Sequence, residues 1–125
     1  MPANPKILLI IIALFEGLVG LLLIVAPTRA IEASLPGAVP GLDGTSMAHL
    51  AGTALVSLAA LAWLARNATD AAILRPVLGA LLVYNVLAVV NLFYQALTFA
   101  PGSLAPGIVH LILTAALFFY WRKAA

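Results

Sequence analysis

A glutamate, Glu16, stands in the middle of the first long apolar run of this sequence. An ionised carboxylate in hydrocarbon costs several kcal/mol unless it is paired, protonated or hydrated. Ala13, Gly17 and Gly20 share its face of a helix, and such small residues let a second helix come close. We therefore expect Glu16 to face the interior of a helix bundle, where it could meet a polar ligand, a proton or a metal ion.

Other polar residues occur in the later apolar runs. The second and fourth runs each hold a histidine near their start, and the third run carries a tyrosine and two amides on one helical face, with another amide turned about 100° away. In a bundle these groups gather toward one end, with Glu16 beneath them. The sequence predicts a polar chamber lined by Glu16, His49, Tyr84, Asn85, Asn91, Gln95 and His110.

The same residues allow a plainer interpretation. Buried amides and histidines also act as interhelical hydrogen-bond partners worth about 0.6 kcal/mol each, with Glu16 as a protonated partner of one of them. Thr53 and Thr114 each follow a histidine by four residues, so each hydroxyl is expected to bond back to that histidine's carbonyl. Two histidines on separate helices could instead hold the iron of haem b, or bind a metal together with Glu16.

The amino-acid composition of the chain indicates which solvent surrounds it. The chain is 65% hydrophobic and 8% charged over 125 residues, so a bilayer rather than water must be its main surroundings. The absence of cysteine excludes disulfides and thiolate metal sites. A net charge of +2 from scattered residues is too small for a nucleic-acid partner. No phosphate loop, nucleophile elbow or zinc-protease motif occurs, which favours binding over catalysis.

Four apolar runs predict four transmembrane helices over residues 7–26, 46–65, 76–99 and 106–121. The first run is too long for the apolar region of a signal peptide. Residues 27–45 form the one sizeable loop, within which residues 28–35 are expected to make a short surface helix, capped by Thr28 and ended by Pro36 and Gly37. The prediction is one all-α domain over residues 1–125, an antiparallel up-down-up-down four-helix bundle.

Basic residues indicate the orientation. Five of them fall on one side of the predicted zigzag, and only Arg29 falls on the other. Positive charge marks the cytoplasmic side, so both termini are predicted to be cytoplasmic and residues 27–45 to face outward. The five residues are Lys6, Arg66, Arg75, Arg122 and Lys123.

The layout of the chain resembles the DoxX-like small bacterial membrane proteins. The likeness lies in a first helix that ends in Leu-Leu-Leu-Ile-Val-Ala-Pro27, a short amphipathic stretch to Leu35-Pro36-Gly37, a second helix rich in small residues that closes in Ala-Arg66, and two further helices. The resemblance implies a multi-pass protein of the bacterial inner membrane, sometimes an accessory part of a redox complex. It carries no functional residue over to this chain.

Three functions are compatible with these features. The first is a binding or accessory protein whose polar cavity, in the outer leaflet, holds a small molecule or part of a membrane lipid. The second is a haem-binding cytochrome or a subunit of a redox complex. The third is a proton-coupled carrier that uses Glu16 and works as a homo-oligomer, since four helices are few for a carrier.

Overall fold

The computed structural model describes residues 4–34 and 39–124. Four of its helices are long and apolar enough to cross a membrane, which confirms the prediction of an all-helical, membrane-type chain. The described residues form five α-helices and one short 3-10 helix: α1 (Lys6–Val25), α2 (Pro27–Ser34), α3 (Leu42–Ala65), α4 (Ala71–Thr98), the 3-10 helix (Pro101–Ser103) and α5 (Leu104–Lys123).

All four long helices begin earlier than the sequence predicts, and the difference is largest for α3 and α4. α3 starts at Leu42 rather than 46, and α4 starts at Ala71 rather than 76. Asp70 caps α4, because its Oδ1 accepts a hydrogen bond of 2.8 Å from the backbone N–H of Ala72. Pro76 therefore lies inside α4. An apolar pattern marks the hydrocarbon-facing part of a helix, whereas the capping residues that set its true ends are polar.

The segment predicted as a loop contains α2. This helix begins at Pro27, one residue before the expected cap Thr28, because the fixed φ of proline suits the first helical position. The N–H of Ala30 donates to the carbonyl of Ala26 at 3.0 Å and closes the first turn. Ala30 is buried, so α2 packs on the long helices. The expected end at Pro36 and Gly37 lies outside the described residues.

α1 packs closely against α3, and α4 packs against α5. At the crossing of α1 and α3, two glycines bring the backbones into contact. A Cβ atom added to Gly52 would lie 2.7 Å from the carbonyl oxygen of Gly20, and one added to Gly20 would lie 2.8 Å from the carbonyl oxygen of Gly52. The small-residue face of α1 thus allows a close helix contact, as the sequence predicts, and the partner is α3.

An apolar core joins the two helix pairs at the end of the molecule away from α2. All four long helices contribute to it, and it includes Leu9, Ile12, Ala62, Leu78, Leu81 and Leu117, each with no exposed surface. Glu16 follows Ile12 by one helical turn. The polar part of the chain interior therefore begins directly above this core.

Replacement of Gly52 by alanine tests the helix contact. The new methyl group would meet the backbone of α1, which cannot rotate away, so we expect the free energy of unfolding to fall by about 1–3 kcal/mol despite the better helix propensity of alanine. Gly41→Ala is the control, since a Cβ atom at Gly41 meets nothing within 4 Å. Equal thermal unfolding temperatures in detergent for the two variants would argue against the close packing.

Candidate functional site

Glu16 is the centre of the polar interior. It is only 1% exposed, although it lies on a helix whose other faces are largely open. Its Oε2 accepts a hydrogen bond of 3.1 Å from the hydroxyl of Tyr84 on α4. Its Oε1 has no hydrogen-bond partner among the described residues, and the Nδ1 atom of His110 lies 4.0 Å from it, beyond hydrogen-bond length. One carboxyl oxygen is therefore buried and unsatisfied.

His110 on α5 is buried beside Glu16, and the ring nitrogen nearest to Glu16, Nδ1, is held by an amide. Its Nδ1 lies 2.8 Å from the Oδ1 of Asn85, which is fully buried on α4. The amide nitrogen of Asn85 donates to the carbonyl of Leu81 at 2.9 Å, so Oδ1 faces the ring and accepts from Nδ1. In a neutral imidazole this leaves Nε2 as an acceptor. The rings of Phe15 and Tyr84 contact His110 edge-on, with centroids 5.6 and 5.8 Å away.

A cavity of about 380 Å³ lies beside these groups. Its polar lining comes from Glu16, Tyr84, His110, Gln95 and Ser103. The hydroxyl of Ser103, just before α5, donates to Oε1 of Gln95 at 3.3 Å. The rest of the lining is apolar and comes from α1, α2, α3, α4 and α5. The site is thus a mainly apolar cavity with a polar patch on one wall.

A second cavity, of about 500 Å³, adjoins the first. The two share the side chains of Leu23, Leu55, Tyr84, Leu92 and His110. The second extends along α4 to Leu87, Ala88 and Asn91. Both cavities therefore lie where residues of the α1–α3 pair meet residues of the α4–α5 pair.

The predicted chamber residues fall into three groups. Glu16, Tyr84, Gln95 and His110 line the first cavity, and Asn91 is exposed and lines the second. Asn85 lines neither but hydrogen-bonds His110. His49 is exposed on α3 and lines neither cavity.

Two further residues contribute to the site, and the sequence pattern does not mark either of them. Ser103 lies between two apolar runs of the sequence, yet it is fully buried and bonded to Gln95, because the 3-10 helix folds it back over the end of α4. Phe15 was one apolar residue among many, and only its ring contact with His110 distinguishes it.

The two threonines behave differently. Thr114 donates to the carbonyl of His110 at 2.8 Å, as predicted. Thr53 donates to Leu50 instead of His49, at 2.8 Å, so that prediction was wrong. A helical threonine hydroxyl can reach the carbonyl three or four residues before it, and its rotamer decides between them.

The geometry gives no support to a metal or a haem shared by the two histidines. Within residues 4–34 and 39–124, no group of three or more His, Asp or Glu side chains is arranged to hold a metal ion. His49 lies outside both cavities, so it is not placed to ligate a group bound beside His110. The Nε2 atom of His110 makes no hydrogen bond to the described residues.

Comparison of the chain with protein-family models, with curated proteins and with solved structures gives no match. The resemblance to DoxX-like proteins thus gains no support from them.

Substitution of Asn85 by leucine tests how His110 is held. The change keeps the volume but leaves the Nδ1–H group of a buried ring without an acceptor, so we expect a loss of about 0.6–1.7 kcal/mol in the free energy of unfolding. Asn91→Leu is the control, because Asn91 is exposed on the same helix and makes no side-chain hydrogen bond to a described residue. Detergent unfolding curves measure both. Equal stability of the two variants would mean that the Asn85–His110 bond does not form.

Proposed function

We propose that this chain is a membrane protein that binds a small, largely apolar molecule in the cavity beside Glu16 without transforming it. The cavity volume of about 380 Å³ falls within the range of about 300–1,000 Å³ typical of small-molecule sites. An apolar wall with a few converging polar groups is also typical of such sites. Among the described residues that line the cavity, the one serine, Ser103, donates to the amide of Gln95 and not to a base, which favours binding over catalysis.

The observation that carries the proposal is the unsatisfied oxygen of Glu16. Buried polar atoms are nearly always hydrogen-bonded, and one left without a partner costs about 1–3 kcal/mol, more if it is charged. If Glu16 served only to hold helices together, its second oxygen would also meet a partner on a neighbouring helix. Glu16 lines the cavity, so a donor group on a bound molecule can supply the missing bond.

The other two functions have less support. A haem between the histidines lacks its second ligand at the cavity, since His49 is exposed. A carrier needs a polar path across the membrane, but apolar side chains, Leu9 and Leu78 among them, fill the interior below Glu16 in the described part of the chain. A subunit of a redox complex requires partner chains and a carrier requires further copies of the protein, whereas the proposed binding function requires neither.

We further propose that the protein lies in the inner membrane of a bacterium as an antiparallel four-helix bundle with both termini in the cytoplasm. The basic residues at the predicted cytoplasmic end lie over aromatic rings, which favours a position at the membrane interface. The guanidinium carbon of Arg66 is 3.8 Å from the ring centre of Trp63, and that of Arg75 is 5.5 Å from Trp121. In this orientation the cavity opens in the outer leaflet.

Single cysteines test the orientation, since the chain has none of its own. In intact cells we expect an impermeant thiol reagent to modify a cysteine at Gly41 and not one at Ala124. The five basic residues keep the side of the protein that holds Ala124 in the cytoplasm. Labelling after lysis controls for reactivity. The reverse labelling pattern in intact cells would show that the topology is the opposite of the one proposed.

A tryptophan at Leu92 tests the cavity. Leu92 lines both cavities, so the larger ring should project into the space that they share and obstruct it, whereas Leu97→Trp places the same ring on an exposed position of the same helix. With octan-1-ol as the probe, we expect a saturable rise in thermal unfolding temperature for the parent and for Leu97→Trp, and none for Leu92→Trp. Ligand at 100 times its dissociation constant stabilises by about 2.7 kcal/mol. An equal response of all three proteins would refute specific binding in the cavity.

A further inference from the structure

The polar wall around Glu16, formed by Glu16, Tyr84 and His110, consists of groups that accept hydrogen bonds, whereas the amide nitrogen of Gln95, beside Ser103, is a donor. The Tyr84 hydroxyl donates its hydrogen to Glu16, so the hydroxyl oxygen can only accept further hydrogen bonds. The Nδ1–H group of His110 is used on Asn85, which leaves Nε2 as an acceptor in the neutral ring. Glu16, in its ionised form, adds a carboxyl oxygen that accepts hydrogen bonds and has no partner among the described residues. A molecule bound against this wall therefore has to supply donors.

The charge of the wall favours a cation over a neutral donor. Lys and Arg are absent from the described lining of either cavity, and the ring of His110 is the one basic group there. Its Nδ1 stands 4.0 Å from Glu16 and is committed to Asn85. The carboxyl group thus lacks a cationic partner, and a bound cation would reduce the desolvation cost of its ionised form.

We infer that the ligand is an organic amine, in which a primary ammonium group pairs with Glu16 and an apolar body occupies the rest of the cavity. An ammonium group carries three donors and one positive charge, which match the acceptors of Glu16, Tyr84 and His110. The apolar part of the ligand lies against Phe15 and the aliphatic side chains of α1, α3 and α4. This inference rests on the proposed function and names the class of molecule bound.

A primary ammonium group could come from a free amine or from the headgroup of a phosphatidylethanolamine lipid. The lining favours the free amine. A phosphate in the cavity would lack a Lys or Arg partner among the described residues and would add negative charge beside Glu16. The inferred ligand is therefore an amphiphilic amine without a phosphate.

The test compares probes of equal chain length on the purified, full-length protein. Octylamine should bind at least tenfold more tightly than octan-1-ol, and octanoate should be the weakest, as measured by saturable shifts of the thermal unfolding temperature. Short-chain phosphatidylethanolamine and phosphatidylcholine form a second pair of probes. We expect neither phospholipid to bind as tightly as octylamine.

The carboxyl group is tested with two matched variants. Glu16→Gln should reduce the preference for octylamine over octan-1-ol to less than twofold while octan-1-ol still binds. Glu32→Gln makes the same chemical change on an exposed residue of α2 and should keep the preference. The sequence has only these two glutamates, so carboxyl-labelled glutamate in the Glu32→Gln protein reports on Glu16 alone. Octylamine should shift the infrared carboxylate band of that label, and octan-1-ol should not.

The infrared measurement keeps the inference testable even if Glu16→Gln does not fold. Equal affinity for octylamine and octan-1-ol in the parent, with both lost in Leu92→Trp, would refute the amine and leave the binding function intact. No saturable binding of any probe would refute both. Tighter binding of the phosphatidylethanolamine than of octylamine would show that the ammonium group belongs to a lipid and overturn the choice of a free amine.

Discussion

The hydrogen bond between Glu16 and Tyr84 joins the α1–α3 pair to the α4–α5 pair. The rest of the interior depends on how these two pairs meet. α1 is packed closely on α3, and α4 on α5, so the contact between the two pairs decides the shape of the inside. Below Glu16, buried apolar side chains from both pairs pack together at that boundary. At Glu16 this packing ends, because a carboxyl group needs polar partners and α4 and α5 offer only a hydroxyl and an imidazole. The cavity lies at this change from apolar to polar surroundings.

The glycine contact between α1 and α3 determines which side of α1 is left for the cavity. Gly20 and Gly52 bring the two backbones together on one face. The neighbouring face of α1, with Phe15, Val19 and Leu23, then lines the space shared with the second helix pair, together with Glu16 one turn before Gly20. Close packing without side chains is a common way to associate helices in lipid, where burial of apolar surface gives little driving force. Here it also leaves the larger side chains of α1 free to line a cavity.

The two histidines have different surroundings in the structure although their sequence contexts are similar. Each lies near the start of a long helix, and each precedes a threonine by four residues. His110 meets an amide, two aromatic rings and a carboxyl group, whereas His49 faces the outside of α3. A histidine whose Nδ1 is fixed by a hydrogen bond presents Nε2 in a defined direction. Under the proposed function, such a fixed acceptor recognises a donor group on the ligand.

The sequence by itself determined the solvent and the number of long helices, because hydrocarbon requires long apolar runs that satisfy their own backbone bonds. It also determined that Glu16 faces inward, since an exposed carboxylate there is too costly. Helix ends were less certain, as the cap at Asp70 shows, because polar caps lie outside the apolar pattern. Only the tertiary structure decided that Asn85 rather than His49 would be the partner of His110, and that Ser103 would return to Gln95. Those choices depend on the rotation and pairing of helices far apart in the chain, which helical periodicity within one segment does not encode.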